Sequence, residues 1–485
     1  MKKRIKKILI IIILILLSGF SVRYWYTIQS QVLWNSTKDT LSQNGLSFDI
    51  QDVIPIKVPD ETNFALSEIF HSTNQEFLKI PKFNEGFYSL NFSYETFDNF
   101  IDLKKFQEYF RNTGLELWGQ HAERGEPAED VLRAIETLTS DLKLLETTIQ
   151  ERPDYNCNLN FKTDGLLIEA WSQQPESQMI HMNAQWWLLL RSHAFLERGE
   201  PSKAVKDLEY ALFLAECFKE DPRLTTQVLR SRMLTALVSP IWQGLAKMQW
   251  KAEHIQSIHD LILNIDLLSG FAKAIDFERH NLNYIHEQFR SLIKEDTGEY
   301  RASLISIGLP KNLLKPFKYF YISPGAFIDR SQTRSNGLYS QYLFEGIDLA
   351  NKRVRLDKIS ELVGQVEDNK EDPFNLLSAL TMPLSFTLPE SIGTTQVMIH
   401  HALIACKIEL YKIERGVYPL NLEELQKKLP TDVFSGQSYE YAIDNMSRYR
   451  ISSEGSNPIN GEQKPTESKQ KNKDLIWQYL TPHSK

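Results

Sequence analysis

The first 26 residues constrain this chain more than any other feature. A dense group of Lys and Arg residues at positions 2–7 precedes an unbroken apolar run at 8–17, and an aromatic trio follows at 24–26. Basic residues favour the cytoplasmic face of a membrane, an apolar run crosses the hydrocarbon, and amphipathic rings settle at the far interface. We therefore expect residues 1–26 to anchor the chain in a bacterial inner membrane, single-pass, with the bulk of the chain in the periplasm or outside.

A cleaved signal peptide is the alternative to a retained anchor. The strictly apolar part is shorter than the ~20 residues of a comfortable span. Gly19 and Ser21 form a small-x-small pattern of the kind at which signal peptides are cut. Phe20 stands where a lipoprotein signal requires its lipidated Cys, which excludes that chemistry. Under either alternative, the residues after about position 26 lie outside the cytoplasm.

Composition predicts a folded chain with no nucleic-acid partner. Apolar residues make up 42% and charged residues 24% of the 485 positions, which is enough to bury a core. The net charge of −7 lacks the surplus of Lys and Arg that phosphate backbones require. Cys157, Cys217 and Cys406 are widely spaced, so they indicate no zinc site and no disulfide framework, while a single disulfide stays possible.

Apolar periodicity predicts helices through the middle of the chain. Between positions 131 and 149, apolar residues recur at intervals of three and four: Val131, Ile135, Leu138, Leu142, Leu145 and Ile149. Further helical patterns run through 224–250, 253–268 and 271–294. We predict a juxtamembrane segment over 27–95, with a short strand at 87–92, and a helical-hairpin domain over 96–385.

A repeated pentapeptide predicts tight turns between these helices. Glu-Arg-Gly-Glu-Pro occurs at 123–127 and again at 197–201. We expect its Gly to end one helix in the left-handed conformation and its Pro to begin the next. The offset is about twice a tetratricopeptide period. The predicted fold class is therefore mainly α, with stacked helical hairpins that are either tetratricopeptide-like or an irregular bundle.

Residues 296–345 interrupt the helical pattern. They combine Gly and Pro breaks with interleaved aromatic residues. This composition predicts either a loop packed on the helices or a surface that faces a ligand. We expect a helix at about 340–364 to follow.

The last hundred residues predict a small α+β module over 386–485. A helix at about 391–415 ends at Gly416, a short helix carries Leu422 and Leu425, and strands are expected at 439–443, at 449–453 and near 475–479. The stretch at 458–473 is polar and Lys-rich, which predicts a polar loop.

The order of motifs in this module resembles an uncharacterised family of large bacterial membrane-anchored envelope proteins. The motifs are Arg-Gly-x-Tyr-Pro at 415–419, Leu-x-x-Leu at 422–425, Pro-x-Asp-x-Phe-Ser-Gly at 430–436 and Tyr-x-Tyr at 439–441. The family also has an N-terminal anchor and a tetratricopeptide-like helical middle. The module alone is similar to the globular end of the type II secretion major pseudopilin. No activity is implied by the family.

The pseudopilin likeness implies a calcium site that this sequence supplies poorly. The matching stretch offers Ser453, Asn457, Asn460 and Asp474, whereas calcium prefers several carboxylates. We predict no metal and no cofactor.

The sequence contains none of the common catalytic motifs, so the catalytic residues are unknown. The sequence has no P-loop, GxGxxG, HExxH, GxSxG or EF-hand loop. For the remaining polar and aromatic groups we favour structural roles over functional ones. His400 and His401, at the start of a helix, are expected to be surface or core residues, and Glu278-Arg279-His280 is expected to form an ion pair within the stack. The group Glu169, Trp171, Trp186 and Trp187 is expected to belong to the core and not to a sugar-binding site.

Three functional hypotheses remain. The first is a membrane-tethered extracytoplasmic scaffold or protein-interaction protein with a protein or peptide partner, because stacked hairpins offer a concave surface. The alternatives are an envelope hydrolase with a site near 296–345 and a secretion-apparatus accessory. A non-enzymatic role is favoured over an enzyme.

Overall fold

The structure, a computed structural model, is mainly α with small sheets of two and three strands, which confirms the predicted fold class. It describes residues 2–70, 100–112, 124–136, 139–156, 176–294, 323–369, 372–375, 378, 382, 386–425, 428–443, 448–453 and 475–479. The predicted strand at 87–92 and the polar loop at 458–473 lie outside these residues.

The α-helices of the described residues are numbered in chain order: α1 Lys2–Gln43, α2 Leu103–Asn112, α3 Pro127–Glu136, α4 Thr139–Glu151, α5 Glu176–Glu197, α6 Pro201–Glu216, α7 Leu224–Ala246, α8 Ala252–Ile262, α9 Leu267–Lys294, α10 Pro324–Gln341, α11 Leu356–Asp368 and α12 Leu388–Arg415.

The strands and short helices complete the description. The strands are β1 Ile347–Asp348, β2 Arg353–Val354, β3 Glu440–Ile443, β4 Tyr449–Ser453 and β5 Leu475–Trp477. A π-turn covers Tyr342–Gly346, and 3-10 turns cover Ile50–Asp52, Phe64–Leu66, Glu68–Phe70, Pro373–Asn375 and Leu422–Leu425.

The chain divides into two compact units, each built from separated stretches of sequence. Unit 1 comprises Met1–Ile54, Ile275–Asp348 and Arg355–Thr387. Unit 2 comprises Pro55–Ala274, Leu349–Val354 and Leu388–Lys485. The boundary expected from sequence at position 385 lies close to the change from unit 1 to unit 2 at Thr387 and Leu388, whereas no unit limit lies near position 95.

In unit 1, α1 does not end where the anchor was expected to end. No Gly or Pro interrupts the chain between Tyr26 and Gln43, so the helix continues until Gly45, which has a φ of +91°. The part of α1 beyond Tyr26 packs against α10. Thr27 and Ser323 share a hydrogen bond of 2.7 Å between their hydroxyls, and the Ser30 hydroxyl accepts from Arg330 Nε at 2.9 Å.

The prediction of a helix at 340–364 is wrong. The structure has α10 before this range, then the π-turn and two short strands, and α11 only from Leu356. Pro324 occupies the first turn of α10, where a missing N–H has no consequence, so this Pro starts a helix instead of breaking one. Gly325, another predicted break, lies in the same helix. Residues 295–322, which hold the remaining predicted breaks, lie outside the described part of the chain.

A buried polar seam joins α9 and α10 within unit 1. Arg290 donates to Asp329 at 2.8 Å, His286 bonds to the Ser331 hydroxyl at 2.8 Å, and Asn336 donates to Asn283 at 2.7 Å. The pairs run in opposite directions along the two helices, so α9 and α10 are antiparallel. Bonds of this kind require one register, because a shift would leave buried polar groups unpaired.

In unit 2, α5 and α6 form the hairpin that the second pentapeptide predicts. Gly199 has a φ of +73°, and Pro201 begins α6. Ser192 donates to the carbonyl of Ala204 at 3.1 Å, which shows how small residues allow the two helices to approach.

The prediction for the first pentapeptide is wrong in one respect. Gly125 does not adopt a left-handed conformation, although Pro127 does begin α3. Its N–H donates to the buried Asp130 carboxylate at 3.2 Å, and a Cβ at Gly125 would lie 3.0 Å from the same oxygen. Close approach to a carboxylate, not a positive φ, therefore explains Gly at this position.

The C-terminal helix α12 belongs to the core of unit 2. It packs against α7 and α8, and Gln396 at its centre bonds to Leu267 N and Ile265 O at 2.8 and 3.1 Å. Beyond it, β3, β4 and β5 form an antiparallel sheet in that order, with Tyr441 opposite Ile451. The predicted strands are thereby confirmed.

Candidate functional site

An open cleft in unit 2 is the strongest candidate site among the described residues. It encloses about 280 Å³ between α8, α12 and the 3-10 turn at 422–425. Its lining residues are Gln256, His259, Lys407, Leu410, Tyr411, Glu414, Arg415, Glu424 and Leu425.

One face of α12 forms the longest wall of the cleft. Positions 407, 410, 411, 414 and 415 recur at helical spacing, so their side chains share a face. The helix ends at Gly416, whose φ of +77° reverses the chain and brings Leu422–Leu425 back alongside it. The Arg-Gly-x-Tyr-Pro motif is thus the turn that closes the cleft.

Glu424 holds this turn against α12. Its carboxylate accepts from the Tyr411 hydroxyl at 2.9 Å and from the Leu420 N–H at 3.3 Å. The bond to the Glu424 carboxylate raises the pKa of Tyr411, so the phenol stays protonated at neutral pH. Tyr411 therefore acts as a hydrogen-bond donor and not as a nucleophile.

The opposite wall carries a histidine with one unpartnered ring nitrogen. His259 Nδ1 lies 2.9 Å from the Asp260 carboxylate. Its Nε2 is buried and has no hydrogen-bond partner in the described part of the chain.

The cleft carries both signs of charge. Lys407 and Arg415 stand with Glu414 and Glu424 in its lining. Arg415 lies 3.7 Å from Glu414 in an exposed pair, which contributes about 0–1 kcal/mol and is readily rearranged. Such a surface suits a ligand with both charges or with peptide groups more than a purely anionic or cationic one.

Exposed apolar residues lie on the turn beside the cleft. Val417 is 63% and Leu420 79% exposed, and the backbone of Leu420 is bonded to the cleft residue Glu424. Our sequence reasoning identified the turn but missed the cleft, because α8 is more than a hundred residues away in sequence.

The two adjacent histidines, His400 and His401, do not start a helix as predicted but lie in the middle of α12, where His401 is buried and His400 is half-buried. His400 bonds to the Tyr439 hydroxyl at 2.9 Å, and the His401 ring meets the Tyr439 ring edge-on at 4.9 Å. Burial lowers the pKa of His400 to about 4 and that of His401 to about 3. Both are neutral packing residues.

The Glu278-Arg279-His280 cluster lies in unit 1. The ion pair forms between Arg279 and Asp276 at 2.7 Å, one turn away on α9. Burial lowers the pKa of His280 to about 4. No solvent-facing acid–base set results from these groups.

The remaining sequence candidates are core residues or lie outside the described range. Trp187 is buried and stacks on Phe110 at 5.9 Å, whereas Glu169, Trp171 and Cys157 fall outside that range, as do the calcium candidates Asn457, Asn460 and Asp474. Ser453 donates to Asp432 at 2.7 Å. Cys217 and Cys406 are free and buried. The described residues contain no metal-binding group of three or more His, Cys, Asp or Glu.

The described part of the predicted hydrolase region, 323–345, offers one pair with nucleophile-and-base chemistry. Ser331 and His286 are 2.8 Å apart, but both are buried within the seam of unit 1. Burial lowers the pKa of His286 to about 4. A substrate has no access to this pair.

Comparison with protein-family models, with curated proteins and with solved structures found no match for this chain.

Proposed function

We propose that this chain is a membrane-tethered extracytoplasmic protein-interaction protein whose unit-2 cleft binds a short peptide segment of a partner. The observation that carries this proposal is the open cleft itself, with two exposed apolar side chains on the turn beside it. Its lining carries charges of both signs, which suits the peptide groups and charged side chains of such a segment.

The tether is supported by α1. Among the described residues, α1 is the one helix that is long and apolar enough, by length and composition, to cross a membrane. Its apolar side chains from Ile5 to Val22 are exposed in the folded protein. A continuous apolar surface of this size is unfavourable in water and favourable in lipid.

The size of the cleft favours a peptide over a larger small-molecule ligand. Sites for drug-sized ligands usually enclose about 300–1,000 Å³. At about 280 Å³ the cleft accommodates one or two anchor side chains, while the flanking backbone lies on the surface. Val417 and Leu420 then offer apolar contact beside the charged lining, an arrangement typical of interface centres with polar rims.

Site-specific photo-crosslinking in native membranes tests the proposal. A photoreactive amino acid replaces Leu420, and in a matched protein it replaces Ile56, which is 91% exposed elsewhere in unit 2. We expect discrete adducts from position 420 and none from position 56. The cross-linked segment of the partner, made as a peptide, should bind the purified chain.

The same peptide then separates binding in the cleft from binding elsewhere. We expect Leu420→Asp and Glu414→Ala to weaken its affinity at least about tenfold, which corresponds to about 1.4 kcal/mol, and Ile56→Asp to leave it unchanged. Equal affinity for all three variants, or no discrete adduct from position 420, contradicts the proposal.

A further inference from the structure

An apolar face of α1 continues past the predicted span. Trp25, Ile28 and Val32 are 62%, 41% and 58% exposed, and Leu33 beside them is also exposed. The first three are separated by three and four residues, so they lie on one side of the helix.

The other side of this part of α1 is the side that faces α10. Ser30 is fully buried there beneath Arg330, and Leu41 is buried about three turns further on. The exposed apolar face is therefore not the face on which unit 1 packs.

The length of the apolar surface identifies what covers it. From Ile5 to Leu33 the helix rises about 42 Å at 1.5 Å per residue, and a bilayer with its headgroup regions measures about 40–45 Å. A hydrocarbon core of about 30 Å that begins at Ile8 ends near Ile28. The strictly apolar run at 8–17 is far too short to fill that core by itself.

We infer that the face formed by Trp25, Ile28 and Val32 lies in the outer lipid interface, so that α1 contacts the bilayer up to about Leu33. The partner is the lipid surface, and the contact is continuous with the span. Because Thr27 and Ser30 bond to Ser323 and Arg330, the base of α10 is then held at headgroup depth. A tilt of α1 toward its exposed side brings this face into contact with the lipid.

This inference rests on the proposed tether, and spin-label accessibility in liposomes tests the two separately. The full chain carries Cys157→Ser, with Cys217 and Cys406 left buried, and one added cysteine at a time. Ile12→Cys reports the span, Ile28→Cys and Val32→Cys report the proposed contact, and Asp39→Cys reports the same face two turns further from the membrane.

The ratio of collisions with oxygen, which partitions into lipid, to collisions with a water-soluble nickel chelate is measured at each position. We expect the ratios at positions 28 and 32 to lie below that of position 12, as an interfacial location requires, and at least about fivefold above that of position 39. Ratios at 28 and 32 equal to that at 39, with position 12 in lipid, overturn this inference and leave the tether intact.

Two other results also overturn it. Spin–spin broadening at 28 and 32 with both collision partners excluded identifies a second copy of the chain on this face. A water-exposed position 12 removes the tether and the inference together.

Discussion

Arg279 is among the largest side chains fully buried in the described residues, and its partners determine whether that burial is tolerated. Its guanidinium bonds to the Asp276 carboxylate at 2.7 Å, to Asn336 Oδ1 at 3.1 Å and to the carbonyl of Ser47. A buried charge is tolerated only when it is paired and hydrogen-bonded, since desolvation opposes it otherwise.

Removing Asn336 tests how strongly unit 1 depends on its polar seam. Asn336→Ala removes the acceptor of Arg279 Nη1 and both hydrogen bonds between Asn283 and Asn336, and we expect the free energy of unfolding to fall by about 2–4 kcal/mol. Denaturant titration of the detergent-solubilised chain provides the measurement.

A double-mutant cycle supplies the control. Asn283→Ala alone should cost about 1–3 kcal/mol, and the double variant should cost clearly less than the sum, because the two amides bond to each other. Additive losses would show that the seam does not act as a network.

His401 predicts a pH dependence in unit 2. Burial lowers its pKa in the folded protein to about 3, below the unfolded value of about 6.5. The unfolded chain therefore binds a proton that the folded chain does not, so stability is full above about pH 6.5 and falls as the pH is lowered toward 3. His401→Phe should reduce the slope of unfolding free energy between pH 6 and 4.5 by about 1.4 kcal/mol per pH unit. An unchanged slope contradicts the burial of a neutral imidazole.

At the scale of elements, the two identical pentapeptides show what local sequence does and does not determine. Both Pro residues begin helices, as their fixed φ predicts. The two Gly residues differ, because Asp130 bonds to the N–H of Gly125, whereas Gly199 ends α5 at positive φ. Asp130 has no counterpart in the second turn, where Ala204 stands at the same offset.

Substitution at these two positions separates the two explanations. Gly199 has open space where a Cβ would lie, so Gly199→Ala should cost about 1–2 kcal/mol through backbone strain alone. Gly199→Asn should cost less than Gly199→Ala, because Asn tolerates the left-handed region. At Gly125 the same pair of variants should show no advantage for Asn. Equal costs for Ala and Asn at position 199 contradict the assignment.

The cleft could be predicted only in part. Tyr411, Arg415 and the turn after them follow from local signals: helical spacing, a Gly stop and a Pro. Its second wall, with His259 on α8, depends on packing between distant segments, and one sequence contains no periodicity that reports such pairing.

At the scale of the whole molecule, most limits of the units could not be predicted for the same reason. Sequence patterns predict segments one after another along the chain, but they do not predict which distant segments pack together. Ser231 on α7, for example, donates to Thr395 on α12 at 2.8 Å, although the two residues are far apart in sequence. The C-terminal helix therefore packs in the core of unit 2, against α7 and α8. The resemblance to the envelope family and to the pseudopilin end stays a prediction.

The location of the chain is the central claim, since the proposed partner and the lipid contact both depend on it. Alkaline extraction of membranes, with mass spectrometry of the N-terminus and protease treatment of spheroplasts, tests it most directly. We predict that the chain stays in the membrane pellet with residues 2–7 intact, and that added protease removes the part after α1. A chain that is released to the soluble cytosolic fraction with the same intact N-terminus contradicts the account.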